Sequence, residues 1–131
     1  MYPRNYARKS LRLRPSKPLY ADVSIEKIGD RAVHTNIARI KVLDISSGGL
    51  RFASPLRFPV KKSVILKVML ELDLQQYVLH GFIVHSSQSE TGEYVYGLCF
   101  IEHDDNLKEA LIKMFGRMLR KIGDNIIVLG T

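Results

Sequence analysis

From Leu19 to Glu102 the chain is a succession of short segments between breaks, several of them alternating apolar and polar residues one for one. A period of two belongs to a strand with one face on a core and the other toward solvent, so a succession of such segments must close or stack to bury its apolar side. Leu19, Ala21, Val23 and Ile25 alternate with Tyr20, Asp22, Ser24 and Glu26. Gly29-Asp30 is a turn signal, and 31–35 is placed to pair back on that first strand. In 38–43, Ala38, Ile40 and Val42 share one face and Arg39 and Lys41 the other. A short bend at 44–49 leads into 49–53, and Pro55 and Pro59 then mark a loop, because proline cannot donate to a sheet ladder.

The strands at 62–72, 76–86 and 93–102 complete the series. The 76–86 segment is apolar on both faces around Gly81, which predicts a bulge or a close backbone approach there. Strands at this spacing joined by short turns form an antiparallel barrel or sandwich. After Glu102 the period changes. Leu107, Leu111, Met114, Phe115, Met118, Leu119 and Ile122 fall at spacings of three and four, the stripe of a helix over about 104–122 that packs on the sheet. Asp104, Asp105 or Asn106 is placed to cap it, and Gly123 to stop it. The apolar tail 126–129 suits an edge strand or a partner contact.

Charge is distributed unevenly. The net charge is +7, yet residues 1–17 hold Arg4, Arg8, Lys9, Arg12, Arg14 and Lys17 without an acid, leaving +1 for all the rest. A nearly neutral body, 18–131, therefore carries one flexible cationic arm, 1–17, broken by Pro3 and Pro15. Arg4 and Arg8 form one Arg-x-x-x-Arg pair and Arg8 and Arg12 another. Cys99, the only cysteine, has no partner for an internal disulfide, which fits a reducing, cytoplasmic setting. No segment has the apolar length of a membrane-crossing helix.

Catalysis lacks its parts. There is no nucleophile elbow or phosphate-cradling glycine loop, and Ser46 has no base beside it in sequence, so no enzyme is expected. His34, His80, His85 and His103 lack metal-ligand spacing, and strict alternation puts His80 and His85 on opposite faces, so no metal or cofactor is expected. Binding is better supplied. Two arginines offer planar forks for phosphate or for the O6 and N7 edge of guanine. Asp44 presents two acceptors that match guanine's ring and exocyclic N–H groups, Ser46 is a donor for phosphate or ribose, and Gly49 lets the backbone come close. These residues suit an anionic guanine nucleotide.

Arg8-Lys9-Ser10-Leu11-Arg12 followed by Asp44-Ile45-Ser46-Ser47-Gly48-Gly49 resembles the paired Arg-x-x-x-Arg and Asp/Asn-x-Ser-x-x-Gly signature of PilZ domains, bacterial receptors for cyclic di-GMP. The Gly81-Phe82-Ile83-Val84 and Tyr96-Gly97-Leu98-Cys99-Phe100 strands and the acid-capped helix extend the resemblance over most of the chain. It implies an all-β fold with an added C-terminal helix, a six-stranded antiparallel β-barrel over which the arm closes. It also implies that Arg8 and Arg12 contact guanine and phosphate while Asp44, Ser46 and Gly49 form the barrel-side wall. Arg4 with Arg8 is the second register of the arm. The expected function is a non-catalytic cyclic di-GMP receptor that signals to a downstream protein. A PilZ-like adaptor that binds only protein and a general nucleic-acid-binding barrel are the alternatives, the latter disfavoured by the scarcity of bases and stacking aromatics on the strands.

Overall fold

Residues Leu19–Ile28 (β1), Arg31–Ala32 (β2), Ala38–Ser46 (β3), Gly49–Ser54 (β4), Val64–Leu72 (β5), Gln75–Gln88 (β6) and Tyr94–Phe100 (β7) form strands, and Asp105–Ile122 forms a helix, α1. The computed structural model describes residues 12–122, with side chains as far as Arg117. The expectations for Arg4, Arg8, Gly123 and the tail 126–129 lie outside the described residues.

Every strand pairing is antiparallel, and the order β1-β3-β4-β7-β6-β5 closes because β5 pairs again with β1. The result is a six-stranded barrel. β2 is a two-residue addition to the end of β1, extended by bonds from Val33 to the Glu26 carbonyl and from Ile25 N–H to the Thr35 hydroxyl, so 31–35 does fold back as expected.

Alternation predicts the inward residues well. Val23, Ile40, Ile45, Phe52, Leu66, Val68, Leu79, Ile83 and Tyr96 are almost wholly buried in one core. Helix α1 covers the barrel with Leu107 and Leu111, and Met114 packs beside them. Of the three cap candidates Asp104 is the one used, its Oδ1 accepting from the N–H groups of Asn106 and Leu107 at 2.9 and 3.1 Å. The Tyr96 hydroxyl holds the proline-marked loop, donating to the Leu56 carbonyl at 2.8 Å and accepting from Phe58 N–H at 2.9 Å. Gly81 allows the close approach expected of it, since a Cβ there would overlap the Cys99 carbonyl oxygen.

Three register shifts bend the sheet, at Glu26 in β1, Leu43 in β3 and Val84 in β6. The second and third decide where Asp44 and His85 point. By strict alternation Asp44 continues the inward series of Ile40 and Val42, and His85 continues the inward series of Leu79, Gly81 and Ile83. Each bulge resets the phase, so that Ile45 and Leu50 face inward and Asp44 pairs with Arg51 on the outside. His85 likewise pairs with Gly97 on the outer face. His80 and His85 therefore share the outer face, contrary to the sequence-based expectation of opposite faces.

Candidate functional site

The bend expected at 44–49 is tighter than its residues suggest. β3 runs on through Ser46, and only Ser47 and Gly48 lie between it and β4. The Ser46 hydroxyl closes this turn, accepting from Gly48 N–H and donating to the Gly49 carbonyl, both at 3.3 Å. The Gly48 carbonyl accepts from Phe100 N–H at 2.9 Å, tying the turn to the end of β7. At Gly49 a Cβ would overlap the Leu98 carbonyl oxygen, so glycine is required where β4 meets β7.

Ile45 holds the arm. It pairs with Leu50 on one side, and on the other it exchanges two backbone hydrogen bonds with Leu13, at 2.8 and 3.0 Å. Leu13 is 4% exposed and belongs to the core cluster. The segment leading to β1 is thus anchored by an apolar side chain and a bridge, and the bridge brings Arg12 to Asp44.

Asp44 is 3% exposed, and both of its oxygens are occupied. Oδ1 accepts from Arg12 Nη1 at 3.1 Å, and Oδ2 from Arg51 Nε at 2.6 Å. A carboxylate this deeply placed needs such partners, because burial of an unpaired charge is costly. Arg51 was not among the sequence candidates, yet the hairpin contains its signal. Once Ser46 pairs with Gly49 and Ile45 with Leu50, Asp44 must face Arg51.

A cavity of about 450 Å³ opens beside this pair on the outer face of the barrel. Arg12, Ser46, Gly49 and Arg51 line its arm side, while Gly97 and Cys99 of β7 pave its floor. Val84, His85 and Ile101 stand across from them, with Glu102 and His103 nearby. Of the predicted site residues, Arg12, Ser46 and Gly49 meet at this cavity, Asp44 stands behind it holding the arginines, and Arg4 and Arg8 lie outside the described residues. His85 was set aside in the sequence; its signal would have been the bulge. Among the described residues no cluster of His, Cys, Asp and Glu is suited to a metal ion, and no helix is long and apolar enough to cross a membrane. His80 is engaged elsewhere, its Nε2 at 2.8 Å from Glu26 and its Nδ1 at 2.7 Å from Glu102.

The profile of the PilZ domain matches residues 4–117. Among solved structures, the Bacillus subtilis inhibitor of motility MotI/DgrA superposes with a TM-score of 0.65 at 16% identity, covering 90% of this chain and 53% of that one. The PilZ domain of YcgR from Escherichia coli, solved with c-di-GMP, gives 0.62 at 13% identity over 91% of this chain and 98% of that one. The K. pneumonia MrkH complex with c-di-GMP gives 0.58 at 11% identity over 89% and 53%. The chain thus spans about half the length of MotI/DgrA and MrkH and nearly all of the YcgR domain. None of the curated proteins is a significant match.

Proposed function

The chain belongs to the PilZ domain family, and we propose that it is a non-catalytic receptor for cyclic di-GMP whose N-terminal arm closes over the barrel and signals to a protein partner. The observation that carries this reading is the seating of Arg12 on Asp44 at the edge of the cavity. An arm residue and a barrel residue, 32 positions apart, meet where an anion would enter. The YcgR domain and MrkH, similar in fold, were each solved with c-di-GMP, which supports the choice of ligand.

In this reading Arg12, 58% exposed at its side chain, keeps N–H groups free for phosphate or for the guanine O6 and N7 edge. Arg8, four residues earlier in the sequence, joins it on the ligand. The ion pair to Asp44 favours the Arg8/Arg12 register over Arg4/Arg8, because it is Arg12 that reaches the hairpin. Arg51 holds the Asp44 carboxylate while guanine N–H groups compete with Arg12 for Oδ1. Ser46 and Gly49 supply the wall, and ordering of the arm costs conformational entropy that the doubly charged ligand offsets. A strand-tracking nucleic-acid site is disfavoured by Tyr96, whose ring is 2% exposed and stacked on Phe52 in the core.

Calorimetric titration of the purified protein with cyclic di-GMP, cyclic di-AMP and GTP tests the reading. Tight binding of the first alone is expected; no binding of cyclic di-GMP, with the fold intact by circular dichroism, would overturn it.

A further inference from the structure

We propose that His85 is a further ligand-contacting residue, an imidazole platform on which a guanine base of the bound nucleotide packs; this rests on the receptor reading above. Four strands present one outward row in the order Asp44, Arg51, Gly97, His85. With neighbouring strands about 4.8 Å apart, His85 stands roughly 10 Å from Arg51 at the backbone, with only a glycine between. The ring fills that gap. A Cβ on Gly97 would collide with its Nε2, Cε1 and Cδ2 atoms, so the imidazole lies across β7 toward Arg51 and into the cavity.

The charge of the cavity assigns the ends of the ligand. Arg12 and Arg51 stand on the arm side. The opposite side has Val84 and Ile101, 48% and 56% exposed, with the Glu102 carboxylate close by. Phosphate oxygens belong at the arginines, and the carboxylate disfavours them at the far side. An aromatic base, with an apolar face and no charge, fits the far side, and an imidazole there offers the π surface on which bases stack. Among the described residues His85 has no carboxylate partner, unlike His80 on the same strand, which is held by Glu26 and Glu102.

The test is calorimetric titration of the full chain with cyclic di-GMP, for the unaltered protein, His85→Ala and His85→Phe. Removing one base stack should weaken binding by about tenfold or more in His85→Ala, while His85→Phe, which keeps a ring, should restore affinity to within about threefold. His85 lies on the outer face, so circular dichroism should be unchanged in both. If the unaltered protein binds and His85→Ala binds equally well, the contact is refuted; if both variants weaken equally, stacking is refuted. If the unaltered protein does not bind cyclic di-GMP, the receptor reading itself falls and this inference with it.

Discussion

Arg51 Nε lies 2.6 Å from Asp44 Oδ2, and the two residues are cross-strand partners in the β3–β4 hairpin. The pair is therefore set by backbone register, while the second partner of Asp44, Arg12, arrives from the arm. The same carboxylate has one partner belonging to the barrel and one carried by the arm.

Removing the barrel partner should be felt in stability. Arg51→Ala leaves a nearly buried carboxylate with Arg12 alone, and a loss of about 1–3 kcal/mol is expected in urea unfolding. Arg51→Lys should recover part of it, because an ammonium lacks the guanidinium fork. Unchanged stability in Arg51→Ala would show that the pair contributes nothing net.

Removing the arm partner should be felt in binding. Arg12→Ala and Arg8→Ala are each expected to weaken cyclic di-GMP binding by about 10- to 100-fold, the equivalent of one charge-assisted contact. Stability should change by less than about 1 kcal/mol in Arg12→Ala, since its ion pair is more than half exposed on the arginine side and Leu13 still anchors the segment. Calorimetry beside urea unfolding separates the two effects.

The two adjacent glycines of the turn should behave differently. Gly49→Ala drives a Cβ into the Leu98 carbonyl oxygen and should cost about 1–3 kcal/mol as β4 and β7 shift. Gly48→Ala meets open space and should stay within about 0.5 kcal/mol. Equal effects in thermal melts would contradict the packing described.

The β5–β6 turn holds a stabilising substitution. Asp73 and Leu74 have φ of 51° and 68°, and Leu74 is 94% exposed, so its side chain contributes little packing to offset the left-handed backbone. Leu74→Gly relieves about 1–2 kcal/mol of strain against about 0.5–1 kcal/mol of added chain entropy. A net gain of about 0.5–1 kcal/mol is expected, read as a higher urea midpoint.

Alkaline stability should depend on Tyr77. Burial raises its phenol above the ordinary tyrosine value, and Asp104 and Asp73 push in the same direction. The folded protein therefore holds this proton more tightly than the unfolded chain. Its contribution is complete below a pH of about 10 and is lost as pH rises through the higher folded value. In urea unfolding between neutral pH and about pH 11, Tyr77→Phe should lose less stability than the unaltered protein.

Much of the fold was legible because burial follows the residue pattern. Val23, Ile40, Leu66 and Leu79 alternate with polar neighbours, and the 3.6-residue stripe of Leu107 and Leu111 marks α1. The β5–β6 turn was not legible in detail, since Leu74 occupies a position where glycine or asparagine is the usual sign. The site was half legible. Asp44, Ser46, Gly49 and Arg12 carry recognisable chemistry at recognisable spacing, whereas Arg51 is placed only once the hairpin register is fixed and His85 only once the bulge is known.

The bulges at Leu43 and Val84 impose a constraint on chain length. Each supplies one extra residue, and deleting it leaves Asp44 and His85 on the outer face of a straighter strand, whereas pairing every residue without the bulge turns a carboxylate or an imidazole into the core. Related chains should therefore tolerate loss of the extra residue at a bulge more readily than a one-residue change of length elsewhere in these two strands, and such a change would mark a barrel that has given up this face.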